Sequence, residues 1–129
     1  KQYLQDYEEV YDYRNIEVTI DEQDIFNVTM NESLAVALLT NLLKNAFVHN
    51  IDGGHIRITV TKNSITFRNS GVENPLDKEH IFERFYQGTK KEGSTGLGLA
   101  IADSICRLQH LSIRYYFEQK EHCFEISRQ

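Results

Sequence analysis

Proline occurs once in these 129 residues, methionine once, tryptophan not at all, and cysteine only twice. The two thiols stand in unlike contexts, Cys106 in a helical pattern and Cys123 in a strand pattern. They therefore read as reduced core cysteines of a cytosolic protein and not as a disulfide framework. No apolar run approaches the roughly 18 residues that a membrane span needs, and no signal-peptide pattern follows Lys1. Net charge is −5 with acids and bases interspersed, so no basic patch suggests a nucleic-acid partner. The chain opens without methionine and in mid-pattern, which reads as a fragment of something longer.

What is present suits one compact domain with a real core: 40% apolar and 26% charged residues are ordinary globular proportions. Residues 1–13 place Tyr3, Leu4, Tyr7, Val10 and Tyr11 at helical spacing and read as the end of an incoming linker helix; residues 14–129 read as a single domain. Ile16, Val18 and Ile20 alternate as a strand, and Ile25 to Met30 reads as a second one, so the pair is expected to form a hairpin. Asn31 caps a long helix that stops at Asn50-Ile51-Asp52-Gly53-Gly54. His55 to Val60 and Ser64 to Arg68 form a second hairpin around Lys62-Asn63. Regularity then fails from Asn69 to Gly93, apart from a short amphipathic piece, Asp77 to Phe85. A stretch of that kind, around the lone Pro75, suits a functional lid. A helix follows the glycines before His110, and Ile113 to Phe117 and Phe124 to Ile126 close the chain as two strands. Hairpins with helices between them predict an α+β fold, a two-layer sandwich with a mixed sheet of about five to six strands and helices on one face.

The long helix has two faces that disagree. At about 100° per residue, Asn41, Asn45 and His49 share a stripe roughly 80° wide. That stripe borders the apolar side formed by Leu38, Leu39, Leu42, Leu43, Ala46 and Phe47 instead of opposing it. Amides at the edge of a core line a cavity or hydrogen-bond neighbouring loops, and from the helix alone both readings stay open. The run STGLGLA is the second organising element. Gly93, Gly96 and Gly98 precede or open a helix, where free N–H groups and the helix dipole favour an anion, and Thr95 adds a hydroxyl. No strand leads directly into it, so it is not a dinucleotide fingerprint, and it lacks the Lys-Ser/Thr ending of a P-loop. Asn69-Ser70-Gly71 sits at a strand end, where the glycine lets a flat ring approach. Arg84, Lys90 and Lys91 in the lid suit polyphosphate, and the Asn45 amide oxygen is a hard ligand of the kind Mg²⁺ accepts. Together these features describe a pocket for ATP and Mg²⁺.

The chain resembles the ATP-binding domain of a two-component sensor histidine kinase, in the superfamily that includes gyrase B, MutL and the heat-shock chaperone ATPases. NLLKNAFVHN is similar to the family's N box, IFERFYQG to its F box and GSTGLGLAIADSIC to its second glycine box, with Asn69-Ser70-Gly71 standing where the first glycine box belongs. The resemblance implies the Bergerat-type ATP-binding fold with a lid loop. It implies that Asn45 ligates Mg²⁺ and that Asn41 supports the phosphate side. His49 would lie beside the nucleotide, and Gly96, Leu97 and Gly98 would cradle the phosphates. Phe82 and Phe85 would anchor the lid, leaving Arg84 free for phosphate or a partner. In hydrolysing relatives a glutamate occupies the position of Asn41; an amide takes no proton at neutral pH, so ATP would be held for transfer.

The departures bear on affinity. Asn69 replaces the aspartate that accepts the adenine amino group, which removes charge assistance. Glu73 replaces a glycine, Val48 a frequent phosphate-facing base and Gln87 a frequent arginine, with Lys90 or Lys91 as substitutes; the lid is about one residue short. The acceptor histidine of the family is followed by an acid. The five histidines here are followed by Asn50, Ile56, Ile81, Leu111 and Cys123, so the acceptor is expected on dimerisation helices outside this chain. A response regulator is implied as an indirect partner, with the domain itself cytoplasmic, making no membrane contact, and any anchoring in the inner membrane left to the parent protein. The alternative is a degenerate regulatory module of the same fold that binds nucleotide weakly or not at all.

Overall fold

The computed structural model describes residues 15–73, 75–76, 79–83 and 97–129. The described elements are β1 (Glu17–Glu22), α1 (Glu32–Val48), β2 (His55–Val60), β3 (Ser64–Asn69), α2 (Gly98–Leu108), β4 (Leu111–Glu118) and β5 (Glu121–Arg128). The strands form one five-stranded sheet in the order β1-β2-β3-β5-β4. β1 runs parallel to β2, and the other neighbours are antiparallel. The sheet is therefore mixed, with α1 as the crossover that joins the parallel pair. The expected incoming helix at 1–13 lies outside the described residues.

Two of the expected hairpins form, and one does not. β2 and β3 pair from Ile56↔Asn69 to Val60↔Ile65. Their turn is closed by Thr61, whose hydroxyl accepts from the N–H groups of Asn63 and Ser64 at 3.2 and 3.0 Å. β4 and β5 meet through Gln119 and Lys120, both at positive φ (52° and 63°). That is the twist a two-residue hairpin requires, reached here without glycine. The reading of Ile25 to Met30 as a strand hairpinned to β1 is wrong. Residues 25–30 belong to no ladder, and β1 pairs with β2 instead, Val18 opposite Ile56. The alternation of Phe26, Val28 and Met30 has another cause, because these side chains pack against the core. Arg128 holds the segment in place, donating to the Asn27 carbonyl at 2.8 Å and lying 4.9 Å over the Phe26 ring. A period of two reports a half-buried extended chain, whether or not its backbone is paired.

α1 starts where its sequence directs. Asn31 is extended, its Oδ1 accepts from Leu34 N at 3.1 Å, and Glu32 places an acid in the first turn. Its buried residues are Leu38, Leu42, Leu43, Ala46 and Phe47, the i, i+4 stripe expected of a core-facing helix. They pack with Ile56, Phe67, Phe124 and Ile126 from the sheet and with Ala102, Ile105 and Cys106 from α2. Both helices lie in this single core, giving the two-layer α+β sandwich. The cysteines are free and buried. Burial pushes the Cys106 thiol up to about 12, with Asp103 adding to the rise, and the Cys123 thiol to about 11. Both therefore stay protonated at neutral pH and act as small apolar groups. Among the described residues, no helix is long and apolar enough to cross a membrane.

Candidate functional site

Two contacts lie along α1, one with the start of α2 and one with the chain after β3. On α1, the Asn41 amide donates from Nδ2 to the Ala37 carbonyl at 2.8 Å, which fixes the carboxamide and leaves Oδ1 facing α2. A Cβ placed on Gly98 would lie 3.3 Å from that oxygen. The amide stripe of α1 and the glycine start of α2 are thus in contact, and Gly98 is the residue that permits the approach. One turn further along α1, the half-buried Asn45 carboxamide has no hydrogen-bond partner among the described residues.

α2 opens without a side-chain cap. Leu97 stands at the N-cap with right-handed helical angles and makes no capping bond, and no acid occupies the first turn. The first intrahelical bond runs from Ile101 N to the Leu97 carbonyl at 2.9 Å. The N–H groups of Gly98, Leu99 and Ala100 have no acceptor within the helix, and the positive end of the helix dipole there favours negative charge. Arg107 sits in the last turn, bonded to Asp103 at 3.0 Å, at the end where a cation is favoured.

The second contact is made by the chain after β3. Asn69 is 2% exposed. Its Nδ2 donates to the Ser70 carbonyl at 2.7 Å, which fixes the orientation of the amide because that carbonyl can only accept. Its Oδ1 is the one fully buried side-chain polar atom among the described residues without a partner. Leaving such an acceptor empty costs about 1–3 kcal/mol, and a donor from a ligand would relieve it. Gly71 follows, wedged between α1 and β5: a Cβ there would meet the His49 carbonyl at 2.9 Å and the His122 ring at 3.2 Å. The close approach made by Gly71 keeps the last turn of α1, His49 included, beside the end of β3.

Of the residues singled out in sequence, Asn41 and Gly98 touch, His49 and Gly71 touch, and Asn45, Asn69 and Leu97 lie on the same elements. Arg84, Lys90, Lys91, Thr95 and Gly96 lie outside the described residues, as do Phe85 and Gln87. Phe82 is half-buried and meets Phe124 edge-on at 6.2 Å, but Ile81, 1% exposed, is the more deeply seated anchor and was not anticipated. Val48 is half-buried. Glu73 is exposed, its carboxylate 3.9 Å from Lys120, a surface pair that contributes little. Among the described residues, no group of three His, Cys, Asp or Glu side chains forms a metal cage. A single amide ligand supplemented by phosphate oxygens is the kind of site Mg²⁺ accepts, and the donor set here fits it. The empty Asn69 acceptor and the glycine contacts at 71 and 98 fit a purine at one end and an anion at the other.

Two networks were missed at the sequence level. Asn50 is fully buried, donates to the Ala46 and His55 carbonyls at 3.1 and 3.0 Å, and accepts from Ile51 N and from the Ser70 hydroxyl. It joins the end of α1 to the start of β2 and the end of β3. His122, 4% exposed, binds the Val72 carbonyl through Nε2 at 2.6 Å and Tyr115 Oη through Nδ1 at 2.8 Å. The available signal was position, since His122 falls on the same strand face as Phe124 and Ile126.

The chain and its fold match known proteins. The model of histidine kinase-, DNA gyrase B-, and HSP90-like ATPases matches residues 30–127. The heme sensor protein HssS of Staphylococcus aureus (strain JH9) is 36% identical over 109 residues, spanning 81% of this chain and 24% of its own length. Sensor histidine kinase RppB of Synechocystis is 43% identical over 84 residues, covering 58% of this chain and 18% of RppB. The chain therefore spans no more than about a quarter of these relatives. The catalytic domain of histidine kinase ThkA superposes with a TM-score of 0.83 at 25% identity, covering 97% of this chain and 86% of that one. The chain belongs to the histidine kinase-, DNA gyrase B- and HSP90-like ATPase family, with the fold of a histidine kinase catalytic domain.

Proposed function

We propose that this domain binds ATP with Mg²⁺ and presents the γ-phosphoryl group to a histidine on dimerisation helices that are not part of it, as the catalytic half of a two-component sensor kinase. In that transfer an N–P bond forms at the imidazole, the bond to the β-phosphate oxygen breaks, ADP leaves and the imidazole proton is lost. Such chemistry needs positioning and charge neutralisation more than covalent participation by the protein. The observation that carries the reading is the buried, unpartnered Asn69 Oδ1, an acceptor waiting for a donor such as the adenine amino group. The uncapped start of α2 against Asn41 supports the phosphate end. Asn45 would hold the metal ion, which neutralises phosphate charge when bound. Arg84, Lys90, Lys91, Thr95, Gly96, Leu97 and Gly98 complete the proposed phosphate side, and His49 flanks the nucleotide. With an amide at position 41, the domain lacks a base for water and holds ATP for transfer.

Calorimetric titration with a non-hydrolysable ATP analogue, with and without Mg²⁺, tests this. Mg²⁺ is expected to tighten binding to the wild type, and Asn45→Ala is expected to lose about 10–100-fold of that Mg²⁺-dependent affinity. No detectable heat at millimolar nucleotide would sink the kinase reading in favour of a regulatory module that works without nucleotide, the alternative favoured by the missing carboxylate at Asn69. A second titration examines the base end. Asn69→Asp is expected to tighten the analogue by about fivefold to tenfold through a charge-assisted bond. It should also destabilise the free protein, since a carboxylate oxygen would replace the amide that now donates to the Ser70 carbonyl. Unchanged affinity would remove Asn69 from the pocket.

A further inference from the structure

The segment that carries the base end of the cleft is fastened by one histidine and one tyrosine. Asn69 and His122 are direct partners in the β3–β5 ladder, and the His122 ring is the surface against which Gly71 packs. One residue on, the Val72 carbonyl lies 2.6 Å from His122 Nε2. Four residues further, Leu76 N donates to Tyr115 Oη at 2.9 Å, and Tyr115 Oη lies 2.8 Å from His122 Nδ1. The described residues that follow β3 are thus held from the sheet at Asn69, Gly71, Val72 and Leu76.

The hydrogen-bond directions follow from the partners. A carbonyl can only accept, so Nε2 carries a hydrogen. In the neutral ring Nδ1 is then bare and accepts the Tyr115 hydroxyl proton, while the tyrosine oxygen accepts from Leu76. The chain of donors is complete only while the imidazole is neutral. Adding a proton at Nδ1 turns that nitrogen into a donor, so the Tyr115 hydroxyl can no longer donate to it, in a site where Tyr115 and His122 are each 4% exposed.

We infer that His122 and Tyr115 are positioning residues for nucleotide binding, a neutral-imidazole clamp that holds Gly71, Val72 and Leu76 in the arrangement that accepts the base and lets go of it in acid. The inference rests on the nucleotide reading above. Among the described residues, the groups facing the ring are Tyr115 and Phe117 from β4, stacked and tilted at 5.9 and 4.9 Å, Asn69 from β3, and the Gly71–Val72 backbone. His49 reaches this corner from the end of α1 through its carbonyl oxygen. The flanking carboxylates are engaged elsewhere, Glu121 by His55 and Arg57 and Glu118 by Arg68. Burial holds the His122 ring below its ordinary value, opposed in part by the bond to Val72. A histidine held low in the folded state contributes stability that is complete above its unfolded value, about 6.5, and is lost as pH falls below it.

The test follows nucleotide affinity from about pH 5 to about pH 8, the range over which a histidine changes charge, for wild type and His122→Gln, with a non-hydrolysable ATP analogue and Mg²⁺. Glutamine keeps a donor for Val72 but does not titrate. The ratio of the two affinities removes the titration of the phosphates themselves. Wild type is expected to lose about tenfold relative to the variant as the buried ring takes up its proton. Tyr115→Phe serves as the second variant, together with the ring ¹⁵N shifts of His122 without nucleotide. Its histidine is expected to titrate nearer the ordinary value, and its affinity at neutral pH to fall severalfold. A ratio that stays constant across the range, or a bare Nε2 in the wild-type ring spectrum, overturns the clamp. Absence of any wild-type binding overturns the nucleotide reading and the clamp with it, whereas binding with a constant ratio removes the clamp alone.

Discussion

Gly54→Ala is expected to be the most damaging single methyl in the molecule. The added carbon would sit 2.2 Å from Asn50 Oδ1, 2.3 Å from Ser70 Oγ and 2.9 Å from the Ile51 carbonyl. None of these atoms is the loose end of a flexible side chain. The Asn50 carboxamide is fixed by four hydrogen bonds and the Ser70 hydroxyl by its bonds to Asn50 and His55. Relief requires breaking part of that network in a site where Asn50 is fully buried. Overpacking costs about 1–3 kcal/mol, and each buried polar group left without a partner costs about 1–3 kcal/mol more. A total of roughly 3–5 kcal/mol compares with a domain stability of about 5–15 kcal/mol. Gly53→Ala is the informative control. Gly53 has φ of +76° but nothing within 4 Å of its missing carbon, so alanine there costs only the left-handed backbone, about 1–2 kcal/mol. Urea midpoints for the two variants check the ranking, and an equal or reversed order would show that the Asn50 network yields easily.

The second large effect is functional. Gly71→Ala is expected to lower affinity for an ATP analogue by about 100-fold, close to 2.7 kcal/mol, with a smaller loss of stability of about 1–3 kcal/mol. The methyl would lie 2.9 Å from the His49 carbonyl and 3.2 Å from the His122 ring. The first is backbone at the end of α1, and the second is a ring bonded on both sides. Neither moves cheaply, so the segment itself must shift, carrying Asn69 Oδ1 away from the place where a base would meet it. Titration at neutral pH measures this directly. Wild-type affinity in the alanine variant would place the nucleotide base somewhere other than beside Gly71.

These two glycines also show where a sequence stops being informative. The capped helix, the glycine stop, both terminal hairpin strands and the glycine-rich start of α2 carry local signals, because each is a matter of neighbouring residues satisfying one another. Asn41, Asn45 and His49 were legible as a stripe for the same reason, since a helix places them on one side whatever surrounds it. The parallel pairing of β1 with β2 has no such signature. It depends on α1 carrying the chain back across the sheet, and the tempting alternation at residues 25–30 arises from burial against the core without any strand partner. The Asn50 and His122 networks join residues 20 and 50 positions apart, and nothing in either neighbourhood announces the other. Gly54 reads as half of a turn, yet its role is set by a serine just past the end of β3.

The strand order also decides which part of the site holds still. β3 and β5 lie inside the sheet, each with a neighbour on both sides, while β1 and β4 form its edges. Asn69 and His122 face each other across the two interior strands. Backbone groups in such strands open to solvent only in excursions that approach global unfolding, whereas edges fray at much lower cost. The Asn69–His122 corner is therefore built on the slowest-opening part of the domain, and its geometry should persist through the local fluctuations that loosen the periphery.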